Sequence, residues 1–223
     1  MKKREFPKRL VLESFKRMQA EISKNKNYLT ELEAKIGDSD HGVNLDRGFF
    51  AVASELPALE NKCIGEILKK VGMILMANVG GAAGALYGTA FLYAGKDLTG
   101  KEFLLGEDII KAFSNAMEGI KVRGGAVLGD KTIIDTLEPV VEHIRENPAD
   151  LETGEGCLKI TAVARQGMES TRDLVAKKGR AGYLGERSKG HLDPGAVSCY
   201  LLINSMFDTE NLDKKILQGE VEK

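Results

Sequence analysis

Residues 64–78 read IGEILKKVGMILMAN. Ile64, Ile67, Leu68, Val71 and Leu75 recur at steps of three and four, so a helix gathers them into one apolar stripe. The same period runs outward from this stretch. Leu10, Val11, Phe15 and Met18 repeat it with charges between them, which predicts a helix over Pro7–Asn25. Leu29–Ile36 reads as a short second helix with Thr30 as its N-cap. Val43–Leu56 is a third, ended by Pro57. Beyond Asn78, the pattern predicts helices over Glu107–Val122, Ile133–Glu146 and Gly156–Lys178. The last holds Gly167, which weakens a helix by roughly 1 kcal/mol relative to Ala. Asp193-Pro194-Gly195 opens a final helix through Leu202 to Phe207, with Pro194 suited to the first turn. The polar tail from Glu210 reads as frayed. No segment alternates at period two for long, and the β-branched residues fall on helical stripes. About eight helices joined by short loops, with no linker or repeat, make one all-α bundle spanning 1–223.

Composition excludes several classes of function. At 43% apolar residues the chain can bury a core, and its net charge of −1 gives no reason to expect nucleic acid or an anionic membrane as partner. Cys63, Cys157 and Cys199 form no C-x-x-C pair, so core thiols in a reducing compartment fit better than zinc or redox chemistry. The N-terminus is basic but lacks the apolar run of a signal peptide. No stretch approaches the ~18 apolar residues of a membrane span. The expected location is cytoplasmic.

The unusual residues sit at helix junctions. Glu33, Asp38 and Asp40 lie within eight positions, with Gly37 and Gly42 flanking the aspartates and His41 and Asn44 following. Carboxylates so crowded repel one another, and a hard cation such as magnesium relieves that repulsion. The third acid and the position-twelve Glu of a calcium loop are missing. The run Gly80-Gly81-Ala82-Ala83-Gly84 precedes an apolar stretch. It reads equally as a helix start whose free N–H groups suit phosphate, or as small residues for close helix packing. Gly129-Asp130-Lys131-Thr132 is not a Walker motif, and Asp130 reads equally as an N-cap or as a ligand. His41 is a base or a helix-start phosphate contact, His143 reads as packing or surface, and His191 is ambiguous. Gly179–His191, rich in glycine and flanked or filled by Lys177, Lys178, Arg180, Arg187 and Lys189, reads as a mobile cationic flap. In an up-and-down bundle alternate junctions share an end, so acids, glycine loop and flap could together build a nucleotide site.

Four groups of motifs then carry a resemblance. They are Leu29-Thr30-Glu31-Leu32 with Ile36-Gly37-Asp38 and Asp40-His41-Gly42; Gly80-Gly81-Ala82 with Gly84 and Leu86-Tyr87-Gly88-Thr89; Gly129-Asp130-Lys131-Thr132 with Asp135; and Lys177 to Ala181, Gly185 to Ser188, Gly190-His191 and Asp193 to Ala196. In this order, over nearly the whole chain, the sequence resembles the nucleotide-binding L subunit of bacterial dihydroxyacetone kinase, the DhaL or DAK2-domain family. The resemblance implies a barrel of eight antiparallel helices with ADP or ATP at one end, held through two Mg²⁺ ions. It puts the metal ligands on Glu33, Asp38 and Asp40. It puts nucleotide contacts on His41, Gly42, Val43, Asn44, Ala82, Ala83, Gly124, Ile133, Arg180, Asp193, Pro194 and Gly195. It also gives Arg180 the catalytic role of stabilising charge as the phosphoryl group moves.

The implied activity is transfer of the γ-phosphoryl group to dihydroxyacetone held on a separate K subunit. In the phosphoenolpyruvate-dependent version an M subunit of the phosphotransferase system recharges the bound ADP. A homodimer is compatible with this reading. The alternatives are a nucleotide-binding regulatory protein without chemistry of its own and a paralogue serving another kinase subunit. Three positions depart from the family pattern: Glu33 stands where Asp is usual, Ala83 where Ser is usual, and Leu128 where Pro is usual.

Overall fold

The computed structural model describes residues 4–207. Its eight α-helices are α1 (Lys8–Ile36), α2 (His41–Leu59), α3 (Ile64–Asn78), α4 (Gly81–Ala94), α5 (Gly106–Gly124), α6 (Ile134–Glu146), α7 (Gly154–Ser170) and α8 (Pro194–Phe207). Each packs on the next, and α8 packs back on α1, so the helices close a ring. The bundle is therefore a barrel, as the motifs implied. The only strands among the described residues are β1 (Phe6–Pro7) and β2 (Phe103–Leu104), which pair antiparallel with Phe6 opposite Leu104. The tail from Glu210 lies outside the described residues.

The stripe in α3 does what its period requires: Ile64, Ile67, Leu68, Val71 and Leu75 are all buried in the central core. Glu66 caps the helix start by accepting the Cys63 N–H at 3.1 Å. α4 lies close against α3 because both are small at the contact. A Cβ on Gly88 would stand 2.8 Å from the Gly72 carbonyl oxygen, and one on Gly72 2.6 Å from that of Gly88.

Several boundaries differ from expectation, each for a physical reason. The two helices expected over Pro7–Ile36 are one, because no Gly or Pro interrupts residues 8–36 and the stripe Phe15, Met18, Ile22, Leu29, Leu32, Ile36 runs through. Thr30 is not a cap; its hydroxyl donates back to the Lys26 carbonyl at 3.0 Å. Pro57 lies inside α2 but only two residues from its end; it removes the N–H that would have bonded the Ala53 carbonyl, and the helix runs on only to Leu59. α7 stops at Ser170 instead of reaching Lys178. The Ser170 and Thr171 hydroxyls donate back to Gly167 and Met168. The Thr171 carbonyl, which a continuing helix would offer to residue 175, instead accepts the Lys131 ammonium at 2.5 Å.

The ring fixes which junctions meet. The α2–α3 and α4–α5 loops and the N-terminus share one end: Ile64 N–H donates to the Lys101 carbonyl at 2.8 Å and Lys8 N–H to that of Glu102 at 2.9 Å. The α1–α2, α3–α4, α5–α6 and α7–α8 junctions share the other. Among the described residues, no helix is long and apolar enough to cross a membrane. Cys63, Cys157 and Cys199 are all buried, and burial pushes the thiol of Cys199 well above its usual range.

Candidate functional site

At the second end a cavity of about 740 Å³ opens between the four junctions. Its wall holds Glu33, Asp38, Asp40 and His41 from the α1–α2 junction, and Gly80 to Ala83 from the start of α4. It also holds Gly124 and Ile133 from the α5–α6 side, Arg180 from the segment after α7, and Asp193, Pro194 and Gly195 from the start of α8. Gly42, Val43 and Asn44 form no part of that wall. Gly42 faces α1, where a Cβ would sit 2.0 Å from the Lys26 carbonyl oxygen. Val43 is exposed, and Asn44 is buried against Gly80 with its carbonyl oxygen accepting from Arg47.

The three acids converge. Glu33, Asp38 and Asp40 each offer an oxygen, and these atoms all lie within 4.8 Å of one another. Glu33 comes from the last turn of α1 and reaches across the junction, where Oε2 accepts the backbone N–H groups of Asp40 (2.7 Å) and His41. It thereby caps the start of α2, and its other oxygen is uncommitted in that contact. Burial raises the Glu33 pKa above the usual carboxylate range; those two N–H bonds oppose the shift, and repulsion from Asp38 and Asp40 adds to it. A set of hard, mutually repelling oxygens is the donor chemistry that magnesium takes. The residues present therefore fit a Mg²⁺ centre on Glu33, Asp38 and Asp40. Arg180 Nη2 lies 2.9 Å from Asp38 Oδ2, so a cation from the α7–α8 segment already joins the cluster.

The glycine run packs closely along α4 and opens onto the cavity at its start. Gly84 and Gly88 allow close packing, with a Cβ on Gly84 meeting the Val79 carbonyl oxygen at 2.1 Å. Gly80 to Ala83 meanwhile form the first turn of α4 in the cavity wall. Gly81 has φ +66, which suits glycine, and open space where a side chain would stand. First-turn N–H groups have no partner within a helix and carry the positive end of its dipole. Arg123 and Lys178 also line the cavity, so the wall holds cations as well as its acid cluster.

His41 is held as a neutral ring. Burial lowers its pKa to about 4, partly offset by the Pro194 carbonyl. Its Nε2 lies 3.0 Å from Ser198 Oγ, which in turn lies 2.7 Å from the Tyr87 hydroxyl. α2, α4 and α8 are thus tied beneath the cavity. Asp193 is the N-cap of α8, accepting the Ala196 N–H at 2.8 Å. Part of its surface faces the cavity, but the surrounding protein desolvates its carboxylate and raises its pKa to about 7. Asp130 caps no helix. Its Oδ2 accepts the Val127 N–H within its own turn, and Oδ1 lies 3.4 Å from Lys177 Nζ. His143 pairs with Asp150 at 2.9 Å, away from the cavity.

The family model for the DAK2 domain matches residues 35–208. The chain belongs to the DAK2 domain family. Among curated DAK2 relatives, it is similar to the ADP-binding subunit DhaL of the PEP-dependent dihydroxyacetone kinase of Escherichia coli K12. The identity is 42% over 186 residues, covering 83% of this chain and 89% of that protein. It is similar, too, to the corresponding subunit of the PTS-dependent enzyme of Lactococcus lactis, at 40% over 187 residues, 84% of this chain and 90% of that one. The dihydroxyacetone kinase of C. freundii shares the fold, with a TM-score of 0.71 at 24% identity, covering 93% of this chain and 36% of the larger one. A second structure of that kinase contains AMP-PNP and Mg²⁺.

The DAK2 chain also has site residues that sequence reasoning did not single out. Arg123 looks like an ordinary surface cation until the barrel turns it into the wall. Tyr87 and Ser198 carry no motif at the spacing that matters, since Ser198 meets His41 across 157 positions. Asp135, seen only as part of a motif, accepts the N–H groups of both Gly129 and Thr132 at 2.6 Å and shapes the turn before α6.

Proposed function

We propose that this chain is the ADP/ATP-binding subunit of a dihydroxyacetone kinase. In this reading it holds the nucleotide with two Mg²⁺ ions and passes the γ-phosphoryl group to dihydroxyacetone bound on a separate K subunit. Bound ADP is then recharged by an M subunit, a reading supported by the PEP-dependent and PTS-dependent names of its relatives. The observation that carries the reading is the meeting of Glu33, Asp38 and Asp40 within 4.8 Å, in the same cavity as the first turn of α4 and Arg180.

Glu33, Asp38 and Asp40 would hold the metal, which when bound supplies charge neutralisation at phosphate oxygens. The N–H groups of Gly81, Ala82 and Ala83 bind phosphate oxygens at the helix start. Ala83 contributes its backbone alone, having no hydroxyl. Gly124, Ile133 and Asp193 to Gly195 line the remaining wall and orient the nucleotide. Arg180 brings a fixed positive charge to the acid cluster, where negative charge must be stabilised as the phosphoryl group leaves. His41 is neutral with its ring engaged, so it organises the junction and takes no proton. No base is needed from this chain, because the attacking hydroxyl belongs to the partner's substrate.

The test is reconstitution. Native mass spectrometry of the purified chain should find bound ADP and Mg²⁺, and Asp38→Asn should lose both. Adding K and M subunits with phosphoenolpyruvate and the general phosphotransferase proteins should phosphorylate dihydroxyacetone. Nucleotide binding without any transfer to the K subunit's substrate would instead favour a regulatory protein.

A further inference from the structure

We propose that Lys131 is a positioning residue for Arg180: its ammonium staples together the two limbs of the segment that carries Arg180 to the acid cluster. The effect on phosphoryl transfer rests on the function proposed above, whereas the effect on the segment does not.

Lys131 is only 1% exposed, and its Nζ donates to the carbonyls of Thr171 (2.5 Å), Leu174 (3.2 Å) and His191. Thr171 and Leu174 lie where the chain leaves α7. His191 lies where it returns toward α8. An ammonium has three N–H donors and no acceptor, so this set of partners engages all of them. Lys131 lines the cavity, yet all three of its donors are engaged by backbone carbonyls, which leaves none for a phosphate. Its partners are dipoles drawn from both limbs, and a neutral apolar side chain of the same length would fill the space without linking them.

The surrounding contacts make this a grip built on one turn. Asp135 fixes the turn by accepting the N–H groups of Gly129 and Thr132. Lys131 itself has φ +62, a conformation L-residues other than Asn and Asp seldom adopt, which the tertiary structure must enforce. The neighbouring Asp130 carbonyl accepts the Lys177 N–H at 3.1 Å, holding the outgoing limb. Burial lowers the Lys131 pKa, opposed by the charges of Asp193, Asp135 and Asp173. Beyond the staple, the segment does not hang free. Ala176, Ala181 and Leu184 pack on Ile36 at the end of α1, and the buried Ser188 hydroxyl accepts the Ala176 N–H at 2.9 Å. Arg180 extends from this small body with its side chain 70% exposed, reaching Asp38 at 2.9 Å. Little but the segment's own placement aims it, so loosening the two limbs loosens the guanidinium.

Two measurements test this in the full chain. The first is limited trypsin digestion, reading cleavage between Lys177 and Lys189. Lys131→Met should raise the cleavage rate at least tenfold, while Lys131→Arg, keeping charge and donors, should stay within threefold of the parent. The second is a double-mutant cycle on phosphoryl transfer in the complex with K subunit. Lys131→Met alone should lower kcat at least tenfold, but by less than twofold in an Arg180→Ala background. If the Met variant does not fold, Lys131→Gln is read in both assays. Unchanged cleavage in a folded variant would overturn the staple. Full additivity with Arg180→Ala would overturn the action through Arg180. An absence of transfer in the parent protein would count against the proposed function, and the protease result would still decide the staple.

Discussion

Replacing Glu33 with Gln separates the two jobs of that residue. Without metal, Glu33 Oε2 accepts the N–H groups of Asp40 and His41, and a Gln oxygen can accept both. Exchanging a charged acceptor for a neutral one weakens such bonds by about 1 kcal/mol each. The same exchange removes two repulsions. At the 4.8 Å limit on the oxygen separations, two unit charges repel by about 1 kcal/mol in a water-like medium and about 3 kcal/mol at an effective dielectric of 20. Arg180 already offsets part of this at Asp38. Gain and loss are therefore comparable, and the metal-free variant should melt within a few degrees of the parent.

Added Mg²⁺ should part them. A ligand at one hundred times its Kd stabilises by about 2.7 kcal/mol, and each kcal/mol moves Tm by about 2–4 °C in a chain of this size. The parent should thus gain about 5–10 °C. A variant whose Mg²⁺ affinity falls a hundredfold should gain about 1–2 °C. The assay is thermal unfolding with and without Mg²⁺ at constant ionic strength, in the presence of ADP. Equal Mg²⁺ shifts in the two proteins would refute the assignment of Glu33 as a ligand. A large loss of Tm in the metal-free variant would refute the balance of cap against repulsion.

Asp193 should make stability fall with rising pH. Its folded pKa of about 7 lies above the ordinary carboxyl value of 3.8, so between these values the native state binds more protons than the unfolded state, and raising the pH favours unfolding. Asp193→Asn keeps an oxygen for the Ala196 N–H, and its urea midpoint should change less between pH 4.5 and 8 than the parent's. Gly42→Ala would drive a Cβ to 2.0 Å from the Lys26 carbonyl oxygen, and should lose at least about 3 kcal/mol in urea unfolding. Gly106→Ala is its control: the Cβ there meets only Leu151 at 3.8 Å, and the change should be within about 1 kcal/mol. Ser198→Ala should cost about 1–3 kcal/mol by stripping His41 and Tyr87 of their shared partner, measured by the same unfolding.

The sequence alone determined the helices and the end of the barrel at which chemistry sits. Burial on a helix repeats every three or four residues, so Ile64 to Leu75 declared α3 within four turns, and Pro194 and Gly125 punctuate within one. The acid cluster was legible for the same local reason, being eight residues long. That it could meet the start of α4 was open to up-and-down topology, in which alternate junctions share an end; the closed barrel brings the two together with Asp193.

What only the tertiary structure decided acts over longer range. The polar stretch between Ile22 and Leu29 reads as a break between two helices; one continuous burying surface keeps α1 whole. Nothing near Thr171 announces the end of α7, because its carbonyl is taken by an ammonium forty positions earlier in the chain. The same holds for the neutral ring of His41, set by burial among distant segments. The flap that glycines and charges predicted is in fact a small packed body, held by Ile36 and by Lys131. Periodicity and turn residues speak for the nearest few residues, whereas a buried ion's partners and a side chain's pKa depend on which distant segments close the barrel around them.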